Sequence, residues 1–125
     1  MTNSLNDLSS SIIGAAIEVH KTLGPGLLES AYEECLCYDL ETRGIAFERQ
    51  KPLTITYKNH PIDCAYRIDI LVQDAVVIEL KSVDRIEPIH KAQLLTYLKL
   101  ADKNLGLLIN FNVPVLKDGI LRLVN

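Results

Sequence analysis

Apolar residues recur at helical spacing over the first third of the chain. Along residues 5–23 they return every three or four positions with polar residues between them, which predicts an amphipathic helix. The Gly-Pro-Gly segment at residues 24–26 interrupts this pattern. A second helical pattern follows over residues 27–40 and ends near Gly44. Because the break is short, we expect the two helices to be neighbours.

Beyond Phe47 the apolar pattern changes to the alternation that is typical of strands. The predicted strands cover residues 47–57, 62–72 and 76–82. Residues 58–61, with the sequence Lys-Asn-His-Pro, are expected to form the turn between the first two strands.

The last third of the chain predicts one more helix and a buried strand. Pro88 suits the first turn of a helix over residues 88–101, and the continuous apolar run at residues 105–111 is typical of a fully buried strand. Residues 120–124 add an edge strand. The sequence therefore predicts an α/β fold with a mixed central sheet flanked by helices, in the order ααβββαβ plus the edge strand. At 125 residues we expect a single domain spanning residues 1–125.

Composition and cysteine usage narrow the class of protein. The chain is 48% hydrophobic and 23% charged, as in globular proteins, and its net charge of -3 argues against a generally basic nucleic-acid binder. Cys35, Cys37 and Cys64 form no C-x-x-C pair, so we expect a reduced cytoplasmic chain with structural cysteines. We see no secretory signal and no apolar run long enough for a bilayer, so no membrane partner is expected.

The second and third predicted strands each carry one apolar face. Because strand side chains alternate, one set of positions faces the core. These positions are Ile68, Ile70, Val72, Val76, Ile78 and Leu80. The opposite face carries Arg67, Asp69, Leu71, Val77, Glu79 and Lys81.

The loop between these strands fixes which residues of that opposite face meet. A two-residue turn would place an apolar core position across from Glu79, which makes it unfavourable. A three-residue loop at residues 73–75 pairs Val72 with Val76 instead. The same register sets Asp69 directly across from Glu79, with Cβ atoms about 5 Å apart.

Two carboxylates in direct opposition destabilise a strand pair unless another charge compensates them. Carboxylate oxygens with one main-chain carbonyl and water suit Mg²⁺ or Mn²⁺. Lys81, on the same face as Glu79, would orient an attacking water or neutralise charge on a phosphate. The alternative is a solvent-exposed face on which Arg67, Asp69, Glu79 and Lys81 only neutralise one another.

An Asp on one strand and Glu-x-Lys on the next, between a helix that bears a Glu and a second helix, resemble the PD-(D/E)XK nuclease superfamily. Within it, residues 26–32 (Gly-Leu-Leu-Glu-Ser-Ala-Tyr) match the G-x-x-E-x-x-Y signature of a small family. Residues 93–97 (Gln-Leu-Leu-Thr-Tyr) are similar to the Q-x-x-x-Y helix of RecB-like nucleases. The resemblance covers residues 12–111 and implies a restriction-endonuclease-like fold. One departure is Ile68, which stands where the superfamily's name has proline.

The resemblance also implies a set of site residues. The implied catalytic residues are Glu29, Asp69, Glu79 and Lys81. The implied ligands of Mg²⁺ or Mn²⁺ are Asp69, Glu79, the main-chain carbonyl of Leu80 and Glu29, either directly or through water. The implied supporting residues are Gln93, Tyr97, Tyr32 and Arg67.

Ordinary structural explanations exist for some of these positions. Glu29 lies in the first turn of a helix, where the helix dipole favours a carboxylate in any protein. His90, Gln93 and Tyr97 share one face of the third predicted helix, opposite a stripe of Leu95 and Leu98, and a polar stripe of this kind is usually solvated.

We therefore expect a metal-dependent nuclease. The resemblance to the superfamily implies DNA rather than RNA as its substrate. The alternative is a non-catalytic binding or assembly module that docks through its helices or forms a homodimer. Without Glu29, Asp69 and Glu79 the formal charge of -3 becomes 0 (-3 + 3), so the excess charge equals the proposed site. One divalent ion brings the total to about -1 and two to about +1, which predicts nucleic-acid binding that is weak without metal.

Overall fold

The computed structural model describes residues 4–63 and 66–125; Cys64 lies outside these ranges. The helices are α1 (Leu5–Leu23), α2 (Glu29–Thr42), α3 (Pro88–Ala101) and a short 3-10 helix (Leu116–Gly119). The strands are β1 (Phe47–Pro52), β2 (Ile55–Tyr57), β3 (His60–Ile62), β4 (Arg67–Val72), β5 (Val76–Lys81), β6 (Leu105–Asn110) and β7 (Ile120–Val124). Within the described residues, no helix combines the length and apolar character that a membrane crossing requires.

The central sheet has five strands in the order β1-β4-β5-β6-β7. Strands β5 and β6 run parallel and are connected through α3, whereas the other neighbouring pairs are antiparallel. Strands β2 and β3 form a separate two-stranded sheet. The predicted mixed sheet flanked by helices is therefore confirmed, and β7 is the predicted edge strand.

The first two predicted strands are each divided in two. The predicted strand over residues 47–57 breaks after Pro52 and continues as β2, and the one over residues 62–72 gives β3 and β4. The turn before β3 is also shorter than expected, because Lys58 and Asn59 alone take left-handed φ angles of 49° and 64°. His60 and Pro61, which the sequence placed in the turn, belong to β3.

Both faces of the central sheet are covered by helices. The first cluster of buried residues joins α1 and α2 to the sheet through side chains such as Ile12, Leu36 and Ile78. The second cluster joins α3 to the other face, where Leu71 and Val77 are buried. The face that the sequence analysis described as polar is therefore apolar near the β4–β5 loop and charged only at its other end.

One core assignment was wrong. Ile68 was expected to share a face with Ile70, but it packs in the second cluster, beside α3, while Ile70 packs in the first. Strict alternation fails between them because the strand is distorted at Asp69, as described below.

Both described cysteines are free, as expected for reduced residues. Cys37 is buried, and desolvation raises the pKa of its thiol to about 12, so it stays protonated and acts as a core residue. Cys35 is partly buried and packs against the first cluster.

Candidate functional site

Asp69 and Glu79 meet where the pairing of β4 with β5 is interrupted. The register pairs Val72 with Val76 and continues to Ile70 and Ile78, where the ladder stops. Beyond that point side chains replace the backbone bonds. The main-chain N–H of Asp69 donates to Glu79 Oε1 at 3.2 Å, and the N–H of Leu80 donates to Asp69 Oδ2 at 2.8 Å. The predicted three-residue loop is confirmed, and Asp69 and Glu79 are neighbours as predicted, although the ladder ends before they form a regular pair.

The main-chain carbonyl of Leu80 faces the same side. In an extended strand the N–H and C=O of one residue point toward the same neighbouring strand. Since the N–H of Leu80 points at Asp69, its carbonyl points toward β4 as well. The carbonyl of the next residue, Lys81, points the other way and accepts from the N–H of Phe111 at 3.0 Å.

The two carboxyl groups are held in an environment that opposes their ionisation. Desolvation, followed by the neighbouring charge of Asp69, raises the pKa of Glu79 from an ordinary 4.5 to about 9. Desolvation likewise raises the pKa of Asp69, while the hydrogen bond from Leu80 acts in the opposite direction. The charge of Lys81 lowers the pKa of Glu79 but does not offset burial. The pair therefore lacks the positive charge that would stabilise both groups as carboxylates.

This donor set fits a hard divalent cation. Mg²⁺ is usually held by one or two carboxylates, keeps several waters, and needs no all-protein cage. Each carboxyl group uses one oxygen for a main-chain N–H, and the two groups also hydrogen-bond to each other, a bond that an ion between them would replace. Within residues 4–63 and 66–125, no three side chains of His, Cys, Asp or Glu converge as a ready-made metal cluster. The protein part of such a site is thus limited to Asp69, Glu79 and the Leu80 carbonyl.

The start of α2 is fastened beside the end of β5. The hydroxyl of Ser82 donates to the carbonyl of Leu27 at 2.6 Å, and these residues are the neighbours of Lys81 and of the segment that leads into Glu29. Glu29 is the first residue of α2 and is exposed, and Lys81 is partly exposed at the end of β5. Both residues are thus near the pair, because the charge of Glu29 acts on Asp69 and the charge of Lys81 acts on Glu79.

Tyr32 is a fully buried residue that positions this loop. Its hydroxyl donates to the carbonyl of Gly24 at 2.6 Å and accepts from the N–H of Leu27 at 3.2 Å. Its ring stacks on Phe111 with 4.2 Å between the ring centroids. Gly24 has a left-handed φ of 71°, a conformation that glycine adopts without steric cost. In the G-x-x-E-x-x-Y segment, the tyrosine therefore anchors the loop that precedes the glutamate.

The polar stripe that the sequence predicted on α3 is not a solvated face. Tyr97 is 6% exposed and lies among the buried residues of α3 with Leu94 and Leu98, so its predicted place opposite the apolar side was wrong. Gln93 donates to the Tyr97 hydroxyl at 2.9 Å. Burial, followed by the charge of Glu79, raises the pKa of Tyr97, which places this ring within the electrostatic field of the carboxylate pair. His90 instead caps the helix by accepting from the N–H of Glu87.

Glu33, a buried carboxylate paired with the exposed Arg49, was not among the residues predicted from the sequence. Glu33 is 8% exposed, and its carboxylate accepts two hydrogen bonds from Arg49, at 2.9 and 3.1 Å, and one from Gln50 at 2.7 Å. Its charge raises the pKa of Asp69 more than that of Glu29 does. The available signal was the spacing of four residues that puts Glu33 on the same helical face as Glu29, but spacing does not reveal burial.

Gln50 is strained at the point where it faces Asp69. It has a left-handed φ of 51° in the middle of β1, although it is not a glycine. The register would pair it with Asp69, yet the ladder pairs only the residues on either side. Arg67, which is exposed, donates to the Gln50 carbonyl at 3.4 Å. Both neighbours of β4 thus lose regular pairing at Asp69, and backbone strain of this kind is typical of functional sites.

The geometry agrees with comparison to known families. The family model for the PD-(D/E)XK nuclease superfamily matches residues 6–123, which include every element from α2 to β6. No curated protein and no solved structure matches the chain. With a match over nearly its whole length, and with the Asp and Glu-x-Lys residues on adjacent strands, this chain belongs to the PD-(D/E)XK nuclease superfamily.

Proposed function

We propose that this chain is a metal-dependent nuclease of the G-x-x-E-x-x-Y type that hydrolyses phosphodiester bonds, with DNA favoured over RNA. The observation that carries the proposal is the Asp69–Glu79 pair, two desolvated carboxyl groups that replace the backbone ladder of β4 and β5. A structural hairpin gains nothing from such an arrangement, because buried like charges destabilise it. A cation between them would remove the penalty.

The residues in and around the pair would have different roles in hydrolysis. Asp69, Glu79 and the carbonyl of Leu80 would hold Mg²⁺ or Mn²⁺, which when bound supplies charge stabilisation and an activated water for hydrolysis. Lys81 would orient the attacking water and neutralise charge developing on the phosphate. Glu29, exposed at the rim, would act on the ion through water.

The remaining residues hold this arrangement in position. Glu33 with Arg49 fixes α2 against β1, and Tyr32 fixes the loop before Glu29. Gln93 and Tyr97 close the α3 side. Free Cys35 and Cys37 are in keeping with a reducing cytoplasmic setting for this activity.

A non-catalytic docking module or homodimer is the second candidate. It draws on Leu28 and Tyr38 of the α2 region, which are 77% and 72% exposed and could seat a partner. Such a module would have no need of the buried carboxylates.

The deciding experiment incubates the purified protein with single-stranded and double-stranded DNA and RNA in Mn²⁺ or Mg²⁺. Lys81→Ala and Asp69→Ala are tested in parallel, and Lys99→Ala on the exposed side of α3 serves as the matched control. We expect each site substitution to lower cleavage by about 100-fold or more, and the control to cleave normally.

The possible outcomes separate the two candidates. Cleavage that survives both site substitutions would be contamination by another nuclease. Absence of cleavage together with absence of metal binding by calorimetry would reject the enzyme and favour the docking module.

A further inference from the structure

An open groove of about 390 Å³ lies between α3, β2 and Tyr66, the residue that precedes β4. Its walls combine two tyrosine rings with aliphatic side chains and a few polar groups. They include Tyr66, Ile89, Gln93, Thr96 and Tyr97. Mostly apolar walls with a few convergent polar groups are the usual composition of a ligand site.

The groove exposes apolar surface that the fold does not use. Tyr66 is 42% exposed and Ile89 is 69% exposed, although both are large apolar side chains. The Tyr66 ring meets the Tyr97 ring edge-on, with 6.2 Å between centroids, so its orientation is supported. A flat planar group could therefore stack on Tyr66 while an amide or hydroxyl of Gln93 or Thr96 contacts its edge.

The groove lies near the carboxylate pair, because Tyr97 lines the groove and also responds to the charges of Glu79 and Asp69. Tyr66 precedes Asp69 by three residues, which corresponds to about 10 Å along an extended chain. Between Tyr66 and Asp69 stands Arg67, an exposed guanidinium with no acidic partner among residues 4–63 and 66–125.

We propose that the groove between Tyr66 and Ile89 binds one unpaired nucleobase of a single strand, whose backbone then passes Arg67 to reach the Asp69–Glu79 pair. This proposal rests on the proposed nuclease function and names its substrate class. The short segment from Tyr66 to Asp69 thus carries a ring for stacking, a cation for phosphate and a carboxylate for the metal.

The physical argument favours an unpaired base over a duplex. A base in a duplex has both faces covered by its neighbours, so it must leave the stack before a tyrosine ring can contact it. Stacking of a free base on an aromatic ring tolerates any sequence and adds affinity that does not depend on net positive charge. This suits a chain whose formal net charge is -3.

The test measures binding apart from cleavage. Lys81→Ala protein in Mn²⁺ is titrated into fluorescein-labelled single strands, by anisotropy, so that the strand stays intact. The probes are a DNA strand, the RNA strand of the same sequence, the DNA duplex, and a series of DNA strands with one abasic residue moved along the sequence. We expect the single strands to bind about tenfold more tightly than the duplex, and one abasic position to lose about tenfold in affinity.

Variants of Tyr66 test whether the abasic position weakens binding because its base is missing from the groove. In the same background, Tyr66→Ala should weaken binding about tenfold and abolish the penalty of the abasic residue, because ring and base act as one pair. Tyr66→Phe keeps the ring and should bind normally. Tyr38→Ala, which removes an exposed tyrosine from α2, is the matched control.

Each outcome is decisive. The proposal is overturned if protein with Tyr66 intact binds intact and abasic strands equally. It is also overturned if the duplex binds as tightly as the single strand. If the wild-type protein does not cleave any strand but binding still depends on the base, the nuclease function is rejected and the groove is supported. Cleavage of DNA with no dependence on Tyr66 supports the nuclease and rejects the groove. RNA that binds as tightly as DNA shows that the base alone is recognised.

Discussion

The two ends of the β4–β5 pair differ sharply. At the loop end, Val72 pairs with Val76, the ladder is regular, and the side chains are buried. At the other end Asp69 and Glu79 replace backbone bonds with side-chain bonds, and their carboxyl groups are desolvated. The loop end stabilises the fold, and the open end is less stable than its surroundings because its charges lack compensation. The same strand pair therefore contains a regular, stable end and, a few residues away, two carboxyl groups in an unfavourable environment.

The largest expected effect is the loss of stability when a buried side chain near the loop end is shortened. Ile78→Ala leaves a cavity in the first cluster, where Ile78 is fully buried, and should lower the free energy of unfolding by about 3 kcal/mol. Chemical denaturation measures this loss. The matched control is Ile89→Ala, at an exposed position, which should change stability by less than about 0.5 kcal/mol. Equal losses in the two variants would contradict the contrast.

A divalent cation should remove the weakness of the open end. Mn²⁺ at about 100 times its dissociation constant should stabilise the wild-type protein by about 2.7 kcal/mol, since it binds only the folded arrangement of Asp69 and Glu79. EDTA should reverse the effect, and Glu79→Gln should abolish most of it. Thermal unfolding with and without metal provides the measurement. A shift of the same size in Glu79→Gln would place the ion elsewhere.

Without metal, Glu79→Gln should raise the stability of the protein. Below pH 4.5 Glu79 is protonated in folded and unfolded protein alike. As pH rises from 4.5 toward 9, only the unfolded chain ionises readily, so the wild-type protein loses stability over this window. Glu79→Gln has no such loss and should be more stable than wild type by about 1–2 kcal/mol at pH 6 in EDTA.

The measurement is urea denaturation at a series of pH values. Glu48→Gln, on the exposed part of β1, serves as the control and should run parallel to wild type. Stability curves of wild type and Glu79→Gln that stay parallel from pH 4 to 9 would show that Glu79 is not desolvated in the folded protein.

The smallest effect concerns the strain at Gln50. Gln50→Ala and Gln50→Gly both remove the hydrogen bond to Glu33, but only glycine adopts the left-handed φ of 51° without cost. The glycine variant should therefore be more stable than the alanine variant by about 1 kcal/mol. Denaturant midpoints of the two variants, compared directly, measure this difference. A more stable alanine variant would mean that the backbone is not held in this conformation.

Features that depend on neighbouring residues were predictable from the sequence, and features that depend on distant residues were not. The register of β4 with β5 was predictable because a two-residue periodicity and a short loop leave one arrangement that keeps the apolar face together. The side of the sheet that Ile68 faces was not, since the alternation fails where Asp69 bonds to Leu80 through its side chain. Tyr97 was misplaced for a related reason: both faces of the sheet are covered, and α3 buries the ring.

The order of the main elements, the proximity of Asp69 to Glu79 and the position of Lys81 beyond them follow from spacing within one or two adjacent segments, so they were predictable from the sequence. The burial of Glu33 against Arg49, the strain at Gln50 and the groove beside Tyr66 became visible only in the folded chain. These features depend on residues brought together from α2, β1, β4 and α3. Contacts over such distances arise from packing, which local periodicity does not encode.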